Sequence, residues 1–409
     1  MPARPFQDRS VFQDHHDFRR LWLLSAITNL GDGALLAAGP LLVASMSKDP
    51  AAVAGAVFAQ QLPWLLFALT SGALVDRLPR RLLIVVVNSI RAVVLGGLAA
   101  AVLFDLAHLW LIYAVSFLLG AGETLVDVAY GALLVGTVPK ELLGRANARL
   151  QLTATVGNQL VGPPIGAAVF AVGAALPFGF HAAVYAVGAL LVARVAAKPL
   201  AQREPATLVA DVREGVRWLL GNPALRVLAL CILVMNLTGV GAFAIWVLYA
   251  EQRLGLTGFG FGLFIAAGAV GGIAGSGVYG RLERRFGHAA LLRVGLVVEA
   301  LTYPALALTR DPWLAGAVMA LFGVHAVVWG SVAATVRQTI TPDHLLGRVG
   351  SVYQLASVGG AALGALLGGV LARWVGLLAP FWVAGAAVAL VTALAWRRLG
   401  SVERTPAAS

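Results

Sequence analysis

The chain has 409 residues, 59% of them hydrophobic and only 12% charged, with a formal net charge of +11. A soluble domain carries about 25% charge and about 45–50% apolar residues, so a soluble fold of this composition would expose large apolar patches. The single cysteine, Cys231, excludes a disulfide framework and a cysteine metal site.

A membrane-spanning helix needs ~20 mostly apolar residues. By that measure the chain contains twelve spans, at 21–46, 53–75, 82–104, 109–137, 150–172, 178–196, 225–250, 259–280, 289–308, 313–336, 349–372 and 378–396. The segments are continuously apolar, as in LLIVVV at 82–87. A membrane barrel of ~10-residue alternating strands is therefore excluded. The opening MPARPFQDRSVFQDHHDFRR is polar and contains no signal-peptide core. The first span is expected to act as its own insertion signal.

Placing the N-terminus in the cytoplasm puts 25 of the 30 Lys and Arg on the cytoplasmic side and 4 outside, with Arg91 inside a span. This is the positive-inside pattern. It implies a multi-pass protein of the cell (inner) membrane with both termini cytoplasmic. The basic charge is then topological, and no nucleic-acid partner is expected.

The chain also repeats itself. NLGDG at 29–33 recurs as NLTGVG at 236–241. TVPKELLGRANARLQL at 137–152 recurs as TITPDHLLGRVGSVYQL at 339–355, and GALVDRLPRR at 72–81 aligns with GRLERRFGHA at 280–289. In the last pair Gly72 matches Gly280, Arg77 matches Arg285 and Pro79 matches Gly287, while Arg284 replaces Asp76. The expected organisation is an N-terminal six-helix bundle (1–197), a linker (198–224) and a C-terminal six-helix bundle (225–409). The linker carries Leu208, Val212, Val216 and Leu219 on one helical face. Such a helix either lies on the inner membrane surface or packs on the bundle. Two parallel repeats with a linker describe a transporter that rocks about a site at its midplane.

The sequence resembles the major facilitator superfamily over essentially its whole length. Three stretches carry the resemblance. The first is Gly72, Asp76, Arg77, Pro79, Arg80, Arg81, similar to the family's motif between spans 2 and 3, with proline in place of the usual glycine. The resemblance implies an inner-gate latch, with Gly280, Arg284, Arg285 and Arg348 as its second-half counterpart. The alternative is that these arginines only set topology. The second is VGPPIGA, with Gly162, Pro163 and Gly166, which resembles a motif of the family's exporters and has Ala167 for the last glycine. In this fold spans 2, 5, 8 and 11 form the moving seam. Glycines at Gly162 and Gly166, at Gly271, Gly272 and Gly275, and at Gly360, Gly364 and Gly368 would then give it a close sliding contact, though membrane packing uses the same residues. The third is GAGETLVDVAYGALLVGTVPKELLGRANARLQL with DVREGVRWLLGNPALR, similar to the branch of enterobactin-type siderophore exporters and macrolide efflux proteins. The arginine of the drug/proton antiporter subgroup is missing from span 4, where Ser116 stands.

No phosphate-binding G-x-x-x-x-G-K-[ST] loop is present, so active transport would draw on a gradient. Intramembrane charges are the candidate couplers. Asp32 lies near the midplane in span 1, which lines the central cavity in this fold. It either handles protons or substrate, or caps a kink at Gly31 and Gly33. Glu123 and Asp127 share a face of span 4. They either titrate as a coupled pair or pair with Arg91. His325 in span 10 is either a proton carrier or a packing residue. Gln60 either binds substrate or bridges helices, and Trp246 is placed on the wall of an apolar cavity. Glu299 in span 9 reads as structural.

The expected fold is thus all-α, with twelve transmembrane helices in two pseudo-symmetric bundles. The expected function is secondary active export of an amphipathic small molecule (a drug, siderophore or secondary metabolite) by proton antiport. An importer or facilitator of the same fold is the alternative, and a membrane enzyme or sensor a second one. A monomer is expected, with solute, protons and lipid as partners and no cofactor or metal.

Overall fold

The computed structural model describes residues 16–67, 78–135, 142–194 and 208–400. Among these residues there is no strand. The first half holds α1 (His16–Met46), α2 (Pro50–Phe67), α3 (Arg80–Leu103), α4 (Leu109–Val135), α5 (Leu143–Ala154), α6 (Gly162–Val172) and α7 (Leu176–Ala193). The linker helix α8 (Leu208–Gly221) follows. The second half holds α9 (Pro223–Phe243), α10 (Trp246–Gln252), α11 (Gly258–Leu308), α12 (Pro312–Ile340), α13 (Leu346–Val375) and α14 (Ala379–Leu399).

Local sequence explains where several helices begin. Asp49, Asn222 and Asp311 each precede a proline, and each side chain accepts from the backbone N–H two residues on, at 3.0, 3.0 and 2.7 Å. An Asx cap satisfies an orphan donor, and proline at the first helical position forfeits none.

Ten helices among the described residues are long and apolar enough to cross a membrane. Two expected spans do not appear separately there, each for a physical reason. Spans 8 and 9 are the two arms of α11, which breaks at Gly287, where φ is 71°. Glycine adopts that backbone without strain, and Pro79, its counterpart, cannot: its φ is −61°. Span 5 is divided into α5, a π-helical turn over Thr155–Val161, and α6. Pro163 and Pro164 lack the N–H that α-helical pairing needs, and a π turn absorbs the mismatch.

The halves join at the end away from the linker. There one buried cluster runs from Ala37, Leu42 and Val53 of the first half to Ala242, Tyr249 and Phe264 of the second. At the linker end the described cores are separate. Leu21, Ile84 and Val87 form one, and Leu228, Leu292 and Val349 belong to another. Among the described residues the molecule is therefore sealed at one end and divided at the other.

One sequence expectation is revised here, and one alternative is decided. Most of the glycines assigned to the seam pack inside a half instead. Gly162 and Gly166 meet α1, Gly271 and Gly275 meet α12, and Gly360, Gly364 and Gly368 meet α9. Within a half, helices come so close that a β-carbon at Gly271 would lie 1.7 Å from the Ala320 carbonyl oxygen. Lipid supplies no hydrophobic drive between helices, so small residues bring backbones together. The seam uses Gly262, facing the Pro163 carbonyl, and Gly369, facing Pro50 and Ala54. Of the two readings left open for the linker helix, the structure shows α8 packed on the bundle. Leu219 joins the second-half core, Glu214 pairs with Arg348, and a β-carbon at Gly215 would sit 2.6 Å from the Arg348 carbonyl oxygen.

Candidate functional site

Asp32 lies near the middle of α1 and is half-buried, its side chain 35% exposed. The α7 residues behind it complete a cluster. Tyr185 donates to Asp32 Oδ1 at 2.8 Å, and His181 Nε2 lies 2.9 Å from the same oxygen. His181 and Tyr185 are buried, with ring centroids 4.1 Å apart. The helix α1 runs unbroken through the flanking glycines. Gly31 gives room to the His181 ring, which a β-carbon would overlap at 1.7 Å, and Gly33 gives room to the backbone of Asn158.

Arg91 of α3 is buried and stacks over Tyr185, its guanidinium carbon 4.3 Å from the ring centroid. It acts electrostatically on Asp32, Glu123 and Asp127, while its Nε has no hydrogen-bond partner among the described residues. Gly122 makes space for it: a β-carbon there would lie 2.8 Å from Arg91 Cδ. Glu123 is half-buried and within hydrogen-bond reach of Gln60, while Asp127 is exposed. The structure thus brings Asp32, Gln60, Arg91, Glu123 and Asp127 into one network across α1, α2, α3 and α4. Sequence reasoning missed His181 and Tyr185. Their signal was a histidine and a tyrosine four apart, hence on one face, inside an apolar span.

The second half has its own buried group. His325 Nε2 lies 2.6 Å from Glu299 Oε2, and Tyr303 donates to Glu299 Oε1 at 2.8 Å. His325 therefore has a carboxylate partner that the sequence reading did not give it. Glu299 borders a cavity of about 370 Å³ between α9, the second arm of α11, α12 and α13. Trp246 packs against Phe243, a lining residue, with ring centroids 4.1 Å apart and planes tilted by 58°.

At the sealed end, two ion pairs join the halves: Lys48 to Glu251 at 2.6 Å and Arg373 to Asp49 at 3.2 Å. The proposed inner gate is partly outside the described residues, since Gly72, Asp76 and Arg77 fall there. Arg80 and Arg81 open α3. In the second-half counterpart, Arg284 and Arg285 are exposed. Glu283 instead fixes the turn, accepting from Tyr279 at 2.7 Å and lying 2.9 Å from His288.

Among the described residues the chain is all-helical, with ten helices long and apolar enough to cross a membrane and with charge buried among them at Arg91 and Glu299. A family model described as transmembrane secretion effector matches residues 12–407. The chain belongs to that family, within the major facilitator superfamily. It is 26% identical to the enterobactin exporter EntS of Citrobacter koseri over 399 residues, 97% of this chain and 94% of that protein. It is 27% identical to the class C tetracycline resistance protein of Escherichia coli over 335 residues, 80% of this chain and 82% of that protein. Among solved structures, the nucleoside transporter NupG shares the fold with a TM-score of 0.74 at 12% identity, covering 95% of this chain and 99% of its own. A bacterial homologue of the iron transporter ferroportin does so with a TM-score of 0.75 at 17% identity, covering 96% and 100%.

Proposed function

We propose that the protein is a secondary active exporter that moves an amphipathic small molecule out of the cell in exchange for protons. The two halves alternate about the space between them, with both termini in the cytoplasm. The observation that carries this reading is the network around Asp32. A carboxylate at mid-membrane depth keeps 35% of its side chain exposed, is held by buried His181 and Tyr185, and is flanked by a buried arginine shared with Glu123 and Asp127. An intramembrane charge is costly and is retained for function. A carboxylate that shares one arginine with others can release and regain a proton as the halves move. The export direction is supported by the names of the relatives and by the Gly162–Pro163–Gly166 stretch, which packs on α1 beside Asp32.

The test is accumulation of dyes, macrolides and siderophores in cells expressing the protein, with and without an uncoupler. Expression should lower accumulation, and the uncoupler should abolish the difference. Extrusion left intact by Asp32→Asn, Glu123→Gln and Asp127→Asn combined would remove the proton assignment.

A further inference from the structure

We infer that the second-half cavity is a binding site for a planar aromatic anion. The inference rests on the exporter reading only in calling this ligand the cargo; the site itself stands on its geometry. The cavity of about 370 Å³ reaches from mid-membrane depth, at Glu299, to the linker end, at Arg337. Ligand pockets run from about 300 to 1,000 Å³, so one or two fused rings fit. Its walls include Phe243, Phe322, Trp329 and Tyr353. Phe243 and Phe322 meet edge to face with centroids 5.3 Å apart, closing its deep end. Flat aromatic walls favour flat ligands, because offset stacks and edge contacts add to the area they bury.

The charge balance decides the sign of the ligand. Glu299 is the acid on this wall, and both of its oxygens are occupied, Oε1 by the Tyr303 hydroxyl and Oε2 by His325. It has little left to offer a cation. Arg337 is the opposite case. It is half-buried on the cavity wall and makes no ion pair among the described residues. Its guanidinium carbon lies over the Tyr353 ring, 4.4 Å from the centroid. That contact holds the group against the wall, and its N–H groups have no hydrogen-bond partner among the described residues. A planar guanidinium edge matches a carboxylate or similar oxyanion two bonds at a time. Gln354, exposed beside it on the wall, adds an amide without a hydrogen-bond partner among the described residues. A half-desolvated, unneutralised cation next to an aromatic slot attracts an anion carried on an aromatic ring.

The test uses purified full-length protein in nanodiscs and equilibrium dialysis with two probes of one shape, 2-naphthoate and 2-naphthylmethylammonium. The naphthoate should bind at least tenfold tighter. Arg337→Gln should remove that preference by lowering naphthoate affinity about tenfold while leaving the ammonium probe unchanged. Arg337→Lys, which keeps the charge without the fork, should retain part of it. Arg373→Gln, at the sealed end, should change neither, and the thermal unfolding midpoint of each variant reports on folding. Equal or tighter binding of the ammonium probe, or an unchanged ratio in folded Arg337→Gln, overturns the inference. Binding is read without transport, so failure of export in cells leaves this result standing, and failure here leaves export standing.

Discussion

The two halves repeat one scaffold and fill it with opposite charges. The repeat that pairs Gly72 with Gly280 carries Arg91 onto Glu299, and the one that pairs Pro139 with Pro342 carries Gly122 onto His325. The structure bears out both pairings as contacts: Arg91 lies over Gly122, and Glu299 meets His325. In the first half, a glycine leaves room for a cation that three carboxylates share at a distance. In the second, a histidine fills that room and saturates the acid. A shared, loosely neutralised network can change its proton count as its surroundings change. A closed pair in the same position is built to stay as it is. On the proposed function, the repeat keeps the site of a buried charge while separating its uses, exchange in one half and anchorage in the other.

If that division is right, substitutions in the halves should fail in different currencies. The largest effect is expected from Asp32→Asn, with uncoupler-sensitive extrusion lost altogether while the thermal midpoint changes little. A variant that loses both together would make Asp32 structural, like Glu299. Next comes Glu299→Leu, which strands buried His325 and the Tyr303 hydroxyl. Breaking a buried pair from one side costs roughly 3–5 kcal/mol. The double variant Glu299→Leu with His325→Leu should recover at least half of the lost midpoint in thermal melts, and no recovery would mean that the pair is not coupled. Smaller again is Gly122→Ala, which forces a β-carbon against Arg91 and should cost about 1–3 kcal/mol of stability by overpacking. Because it shifts the shared cation, it should also weaken extrusion, whereas Gly316→Ala, which meets open space, should do neither. The smallest effect belongs to Lys48→Gln at the sealed end. Exposed ion pairs contribute about 0–1 kcal/mol, so the midpoint should barely move, and a large drop would make that end a structural clamp.

Much of this was legible in the sequence, for identifiable reasons. Hydropathy marks the spans because lipid demands uninterrupted apolar helices. The repeats align because both halves must turn at the same depth. The sequence offered Arg91 as one of two partners for Glu123 and Asp127, and the structure adds Asp32 to that group. What the sequence hid is the choice of faces. Glu299 reads as peripheral until span 10 is seen to press His325 against it. His181 and Tyr185 are masked by apolar neighbours, and their role depends on how α7 rotates toward α1. The glycines look alike along the chain, yet Gly368 packs on α9 while adjacent Gly369 faces α2. One residue of helical rotation, about 100° at 3.6 residues per turn, separates internal packing from the seam. The linker helix shows the same limit. Its amphipathic pattern fits a membrane surface or a protein surface equally, and only the Glu214–Arg348 pair and the buried Leu219 assign it to the latter.

The most direct measurement is the pair of distances between spin labels at the two ends, in a background with Cys231 replaced by alanine. One pair sits at the linker end, at Asn147 and Thr339. The other sits at the sealed end, at Ser47 and Trp374. The account predicts two populations in opposite correlation, the linker-end distance shortening as the sealed-end distance lengthens. Distances that stay fixed at both ends, or that grow and shrink together when pH or solute is changed, would contradict it.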